Sequence, residues 1–202
     1  MRFAAPADAA TIERTAEALR AKGYEVHVAD DRESAKRLIL EQVPDGAEVS
    51  QGASRTLEEL SVTTEIEESG RYDAIRPRTR AMDRKTQLRE MRKLGVAPDY
   101  WLNSVHAVTE DGRILIASNT GSQLGALAFG AGTVIFAIGS QKIVPDVETG
   151  LQRIEEYCYP LEDAKMRALH GVGSAVNKIL IVNREFRPGR FIVILIREAI
   201  GF

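Results

Sequence analysis

The spacing of apolar residues at the start of the chain predicts a helix followed by a strand. Ile12, Ala16 and Leu19 recur at helical spacing, and Gly23 is a typical helix stop signal. The next five residues, 24–28, alternate apolar and polar side chains as a half-buried strand does. A helix that leads directly into a strand is typical of an α/β domain.

The alternation continues through the chain. Asp30 or Asp31 can cap a second helix that Pro44 ends. Residues 64–80 are polar and predict no definite element. Further helices are predicted from about 55 and 83 and over 122–129 and 146–158, and further strands over 48–50, 100–105, 133–138, 179–182 and 191–196.

This order predicts an α/β domain with a mostly parallel sheet. Asp111-Gly112 lies between two short apolar segments, 107–110 and 113–116, and is a strong hairpin signal, so antiparallel additions are expected. No repeat or long linker divides the chain. We therefore expect one domain over residues 1–202, with the N-terminal helices (about 1–45) packed on its core.

Composition excludes several classes of protein. The 202 residues are 44% apolar and 28% charged, which is typical of a globular domain. The 27 Lys and Arg nearly balance the 29 Asp and Glu, so bulk charge gives no reason to expect nucleic acid as a partner. Charged residues interrupt positions 1–20, and no run approaches the ~20 apolar residues that cross a bilayer. The expected location is the cytoplasm, with no membrane partner.

Histidine and cysteine do not form a metal-binding pattern. His27, His106 and His170 lie far apart, and neither HExxH nor CxxC occurs. Cys158 is the only cysteine, which excludes an internal disulfide or a self-contained iron–sulfur site. Because Cys158 falls in a helical stripe with Leu151, it is expected to fill the core.

Four polar loops follow predicted strands, where open α/β sheets bind their ligands. The first, Gly52 to Leu57, places a helix N-terminus beside Arg55, and this arrangement favours an anion. An ordinary N-cap at Ser54 with a solvated arginine explains the same residues. The second loop contains His106, a candidate general base near neutral pH, and Glu110, its partner or an acid/base itself. The alternative there is a polar hairpin.

The third and fourth loops add groups that suit an anion. Ser118 to Gly125 gathers hydroxyls and amides before a predicted helix and could cradle a phosphate or carboxylate. Lys142, in the loop after strand 133–138, could reach the same anion. The alternatives are an N-cap at Thr120 or Ser122 and a solvated lysine.

Five pieces of sequence, in this order, resemble the LUD (lactate utilization) domain family, and within it the LutC/YkgG group. Together they extend from Gly52 to Phe202. They are GASRTLEEL, YWLNSVHAVTEDGRIL, SNTGSQLGALAFG, TVIFAIGSQKIVPDVETGLQRI and VNKILIVNREFRPGRFIVILIREAIGF.

The resemblance implies a three-layer α/β/α fold similar to the NagB/RpiA/CoA-transferase-like proteins, whose ligands lie over the strand ends. The segment VHAVTEDG also resembles an isomerase segment, but His106 stands where those enzymes keep an acid, which argues against isomerase chemistry. Some relatives carry a cysteine cluster before the last two strands. Here Val176 stands in that region, so such a cluster cannot be built.

The resemblance further implies a role in lactate oxidation or related organic-acid metabolism. The chain would have no cofactor of its own and would depend on iron–sulfur protein subunits for electron transfer. His106 or Glu110 would move a proton. The residues expected to bind a small anionic metabolite are Ser54, Arg55, Asn103, Ser104, Asn119, Thr120, Gly121, Ser122 and Lys142.

Two other functions stay open from the sequence. The chain could be a non-catalytic assembly or regulatory subunit, because no self-contained redox machinery is visible in it. It could instead be an orphan transferase or isomerase on the same fold. The sequence does not decide whether the isolated chain is catalytic or forms a homo-oligomer.

Overall fold

The computed structural model describes residues 2–202. Its helices are α1 Ala9–Ala21, α2 Arg32–Glu41, α3 Arg55–Glu59, α4 Val62–Glu68, α5 Ile75–Arg80, α6 Leu88–Val96, α7 Val147–Arg153 and α8 Tyr159–His170. Its strands are β1 Glu25–Ala29, β2 Glu48–Gln51, β3 Asp73–Ala74, β4 Tyr100–Asn103, β5 Ala107–Thr109, β6 Ile114–Ser118, β7 Thr133–Gly139, β8 Ile143–Val144, β9 Lys178–Val182 and β10 Phe191–Ile196.

A six-stranded parallel sheet forms the centre of the molecule, in the order β1-β10-β7-β4-β2-β3. Its middle strands, β7 and β10, are almost continuously apolar and buried along their length. Such runs are expected of strands that are covered on both faces. The predicted α/β class with a mostly parallel sheet flanked by helices is confirmed.

The antiparallel pairing that the hairpin signal predicts lies in a second sheet, in the order β8-β5-β6-β9. Strands β5 and β6 pair antiparallel around Asp111 and Gly112, and Gly112 takes the left-handed φ of +85° that the turn requires. Strand β9 pairs with β6, whereas β10 belongs to the central sheet. The Pro188-Gly189 turn therefore connects two different sheets.

Three apolar clusters hold these layers together. Helices α2, α3 and α4 cover one face of the central sheet. Helix α1 and the second sheet share the other face, where Phe136 and Phe191 meet edge to face with ring centroids 5.2 Å apart. The third cluster joins α7 to the outer face of the second sheet.

No helix within residues 2–202 combines the length and apolar character that a membrane span needs.

At three places the structure adds to the predicted elements or differs from them. Residues 64–80, without a predicted element, hold α4, β3 and α5. The helix predicted over 122–129 is reduced to a wide π-helical turn at Ala126–Gly130. The helix predicted over 146–158 begins as expected, with the Asp146 carboxylate accepting from the Thr149 N–H at 2.7 Å, but its last five residues, Ile154–Cys158, form another π-helical turn.

Candidate functional site

A cleft of about 460 Å³ opens where the three neighbouring strands β2, β4 and β7 end. Its floor comes from the loops that follow these strands, and its walls come from β6, the loop after β6, helix α8 and the segment before β9. This is the edge of an open α/β sheet at which ligands bind. The lining residues include Ser54, Arg55, Thr56, Arg84, Asn103, Ser104, His106, Ser118, Asn119, Thr120, Ser122, Gln123, Lys142, Cys158, Tyr159, Glu162 and Met166.

Lys142 is buried in the floor of the cleft, in a short 3-10 turn that follows β7. Its Nζ donates hydrogen bonds to Thr56 Oγ1 and Ser104 Oγ, both at 2.9 Å. Burial, together with the positive charge of Arg153, lowers the pKa of Lys142 to about 7. The lysine predicted to reach an anion therefore lies in the cleft, but it is not solvated.

Arg153 is a second buried cation, and sequence reasoning missed it. Its side chain is 0% exposed, and Nη1 donates to the backbone carbonyl of His106 and to Cys158 Sγ, the latter at 2.8 Å. Its Nε and Nη2 have no hydrogen-bond partner. Burial lowers the pKa of this guanidinium from its ordinary value, but arginine stays charged in proteins. No carboxylate within residues 2–202 lies within 4.0 Å of Lys142 or Arg153.

Cys158 has a different position from the one expected. Its thiol lines the cleft instead of only filling the core, and it contacts the Arg153 guanidinium. Burial raises the pKa of this thiol, while Arg153 and Lys142 act in the opposite direction. The thiol is therefore protonated at neutral pH and does not neutralise the two cations.

His106 lies in the cleft, but its protonation differs from that of a base that titrates near neutral pH. Nδ1 accepts the Ala117 backbone N–H at 3.1 Å, so Nε2 carries the ring proton. Burial, with the nearby charges of Lys142 and Arg153, lowers the pKa of His106 to about 3. At neutral pH the ring is uncharged and its Nε2–H can donate a hydrogen bond, and the general-base role predicted for His106 stays a prediction.

The first predicted loop has the predicted local structure. Ser54 caps α3 by accepting the Leu57 N–H at 3.3 Å. Arg55 lines the cleft, but it is exposed and its Nε donates to Glu59 at 2.7 Å. Since one side of its guanidinium is already paired, Arg55 is a weaker anion clamp than the buried Lys142.

The loop after β6 brings further polar groups to the cleft rim. Asn119 accepts a hydrogen bond from Asn177 at 2.8 Å, and the hydroxyls of Thr120 and Ser122 lie 3.2 Å apart. Gly121, between them, has a φ of +81° and donates its N–H to Ser118 Oγ at 2.9 Å. Asn103 is buried in the cleft wall at the end of β4. Asn103, Asn119, Thr120 and Ser122 thus line the cleft, whereas Gly121 does not.

The cleft contains a different carboxylate from the one that the sequence predicted. Glu110 lies at the far end of β5, where it contacts Arg14 at 3.6 Å, and it does not line the cleft. Glu162, on α8, does line it, and burial raises the pKa of its carboxyl. Sequence reasoning missed Glu162 because its i+4 spacing from Cys158 marks only a shared helical face. No group of three or more His, Cys, Asp or Glu side chains in the described part of the chain could hold a metal ion.

The fold and the site define an α/β protein with a cationic cleft at the strand ends of its parallel sheet. The LUD domain model matches residues 12–196, and the chain belongs to that family. A DUF162 family protein from Deinococcus radiodurans has a similar crystal structure, with a TM-score of 0.58, 13% sequence identity, and coverage of 95% of this chain and 99% of that one. At this identity the likeness shows the fold alone. No curated protein matches the sequence.

Proposed function

We propose that this LUD-domain protein acts in organic-acid metabolism, as LutC/YkgG-type proteins do, and binds a small carboxylate such as lactate or pyruvate in the cleft. One observation carries the proposal. Lys142 and Arg153 are buried beside the cleft, and no carboxylate of the described chain lies within 4.0 Å of either, while Glu59 acts on Lys142 from farther away. A buried charge is costly unless it is paired, so the site favours an anion from solution.

The polar groups around the cations suit a small ligand. Ser54, Asn119, Thr120 and Ser122 line a cleft whose volume of about 460 Å³ is within the range of small-molecule sites. A bound carboxylate would favour the charged form of Lys142 and raise its pKa again. Binding should therefore take up a proton when the pH is above about 7, the pKa of Lys142 in the empty cleft.

Conversion of a 2-hydroxy acid into a 2-oxo acid removes two electrons and two protons. In this proposal Glu162 exchanges a proton with the ligand, and the neutral His106 donates a hydrogen bond from Nε2. An iron–sulfur partner subunit would supply clusters that accept the two electrons, one per cluster, and the second proton would leave to solvent. The support for this assignment is the place of both side chains on the cleft wall and the raised pKa of the Glu162 carboxyl.

Ligand-induced stabilisation tests the proposal. The unfolding free energy should rise by about 2.7 kcal/mol when lactate or pyruvate is present at 100 times its Kd. Lys142→Met should weaken binding of both acids, whereas Lys93→Met, an exposed lysine paired with Glu90, should leave it unchanged. CoA esters and sugar phosphates serve as competing ligand classes. If neither acid shifts the melting temperature of the wild-type protein, the carboxylate proposal is wrong.

A specific surface supports a second candidate function, that of a subunit in a larger assembly. Strand β9 is at the edge of the second sheet, and its Ile179 and Ile181 are 40% and 37% exposed. Exposed apolar edge strands pair readily with other chains. The segment before β9, Ser174 to Val176, lines the cleft, so a partner on this edge would lie beside the bound acid.

Co-purification from the native host tests this second candidate. The wild-type chain should recover an iron–sulfur polypeptide, and Ile181→Lys should lose it. Phe186→Ser is the matched control, because Phe186 is 89% exposed but follows β9 instead of lying in it. Equal recovery with Ile181→Lys would exclude the β9 edge as the docking surface.

A further inference from the structure

Lys142 has the surroundings of a chemically reactive amine. Its side chain is 1% exposed, yet it lines the cleft, so a ligand in the cleft meets an amine that bulk water barely reaches. The two groups that contact its Nζ are hydroxyls and not carboxylates. A carboxylate partner would hold the amine in its charged form, and hydroxyl partners do so much less.

The two hydroxyls use their own protons elsewhere. Ser104 Oγ donates to the Ala137 carbonyl at 2.6 Å, and Thr56 Oγ1 donates to the Ile200 carbonyl at 3.4 Å. Both oxygens therefore accept from Lys142, which satisfies two N–H bonds of the amine. When the amine is neutral, its two N–H groups are used in these hydrogen bonds, and its lone pair is left to act as the nucleophile.

A second cation acts against the charged form of the amine. Arg153 is close enough to lower the pKa of Lys142, which burial has already reduced, to about 7. Desolvation beside another cationic group is a known way to activate a lysine for attack on carbonyl substrates. His106, with Nδ1 occupied by Ala117, has only its Nε2–H to offer a carbonyl oxygen.

We propose that Lys142 forms an imine with a small 2-oxo acid bound in the cleft. The Nζ lone pair attacks the keto carbon and forms a C–N bond, while the carbonyl π electrons move to oxygen, which takes up one of the two protons that the attacking nitrogen carries. The resulting carbinolamine loses the nitrogen-bound proton and its hydroxyl group as water, which leaves a C=N bond. No net oxidation occurs. The inference rests on the proposed function, because the same cleft must hold the acid.

Reductive trapping tests the imine. The full-length protein is incubated with pyruvate and sodium cyanoborohydride, and the adduct is located by intact mass and peptide mapping. One adduct per chain is expected at Lys142, and labelling there should exceed labelling at Lys93 by at least about tenfold. The reason is that an amine with a pKa near 7 is far more often neutral at pH 7 than an ordinary lysine. Labelling of Lys142 should rise from pH 6 to pH 8 and then level off.

Two variants keep the test decisive. Lys142→Arg keeps a cation for the carboxylate but cannot form an imine, so it should bind lactate and give no adduct. Lys93→Met should label as the wild type does. Lactate, which has no keto group, separates the two proposals. If lactate binds the wild-type protein and pyruvate gives no adduct at Lys142, the imine is wrong and carboxylate binding stands. If neither acid binds the wild-type protein, the proposed carboxylate binding is wrong, and so is the imine that depends on it.

Discussion

Single side chains determine the electrostatics of the cleft, and His106 shows this most directly. Its ring accepts the Ala117 N–H at Nδ1 and lies near Lys142 and Arg153. A protonated imidazole would lose that hydrogen bond and add a third positive charge. The folded protein therefore keeps His106 neutral at a pH where an unfolded chain would protonate it.

This behaviour predicts a pH dependence of stability. The pKa of His106 is about 3 in the folded protein against an ordinary value of 6.5, so between these values the unfolded chain binds the extra proton. Unfolding free energy therefore falls as the pH drops through this window. In the variant His106→Asn, Oδ1 can accept the same N–H. Between pH 6.5 and pH 4 the unfolding free energy of this variant should fall by about 2–3 kcal/mol less than that of the wild type.

Urea unfolding at several pH values measures the difference. His27→Asn, on β1 and away from the cleft, is the matched control. If the wild type and His106→Asn lose stability in parallel between pH 6.5 and pH 4, the buried neutral histidine is excluded.

At the scale of elements, a buried ion pair holds the π-helical turn at Ala126–Gly130. Arg190 Nη1 contacts Glu185 at 2.8 Å, and the two side chains are only 5% and 10% exposed. The same guanidinium donates to the carbonyls of Ala126 and Leu127 at 3.2 and 3.0 Å. One side chain thus adds a second donor to the Ala126 carbonyl, which already accepts the Ala131 N–H at 3.1 Å, and supplies a donor to the Leu127 carbonyl.

Removal of this arginine should be costly. We expect Arg190→Met to lower the unfolding free energy by ~3–5 kcal/mol, because Glu185 is left buried without its counter-charge. Arg184→Met, an exposed neighbour, should change it by less than ~0.5 kcal/mol. Adding Glu185→Gln to Arg190→Met should recover part of the loss, and a double variant no better than the single one would contradict this explanation.

The hairpin between β5 and β6 offers a second prediction at this scale. A Cβ on Gly112 would lie 2.8 Å from the backbone of Ala18 on α1, and its φ is +85°. Gly46 has a similar φ of +78°, but a Cβ there would have no other atom within 4 Å. Gly46→Ala should therefore cost only the strain of ~1–2 kcal/mol, and Gly112→Ala should cost ~1–3 kcal/mol more.

Thermal and urea unfolding of the two alanine variants provide the comparison. The difference between them isolates the contact between the hairpin turn and α1, since the backbone strain is common to both. Equal destabilisation would mean that α1 moves aside at little cost.

At the scale of the whole molecule, the two sheets share one apolar cluster and should unfold together. Phe136 is fully buried between them, and the single tryptophan, Trp101, belongs to the same cluster. Phe136→Ala should lower stability by ~3–5 kcal/mol. Tryptophan fluorescence and far-UV circular dichroism should give coincident transitions in both proteins. Separate transitions would show that the second sheet unfolds independently.

The sequence predicted local structure correctly where that structure depends on interactions between neighbouring residues. The caps at Ser54 and Asp146 and the turn at Gly112 depend on neighbouring residues alone, and all three occur in the structure. The division of the strands between two sheets depends on long-range pairing, so the pattern of apolar residues did not contain it.

The site follows the same rule. The loops after strands pointed to the region of the cleft, but the burial of Lys142 and Arg153 depends on what packs over them. In the sequence Arg153 looks like an ordinary surface cation, and Lys142 is a candidate anion ligand with no sign of its burial. Glu162 and Cys158 reach the cleft only because α8 folds back over the strand ends. Contacts between distant segments therefore decided which polar residues became functional candidates.

The wide turn at Ile154–Cys158 has a consequence for how the chain tolerates insertions and deletions. In a regular α-helix of 3.6 residues per turn, residues five apart point about 140° away from each other. Here Arg153 and Cys158 are five apart and in contact. The extra residue changes the rotation about the helix axis between α7, which packs on the second sheet, and α8, which lines the cleft. Loss of one residue within this turn would place Arg153 and Cys158 four apart, which is the spacing of neighbours on one face of a regular α-helix, so it should preserve both helices and the contact between the guanidinium and the thiol.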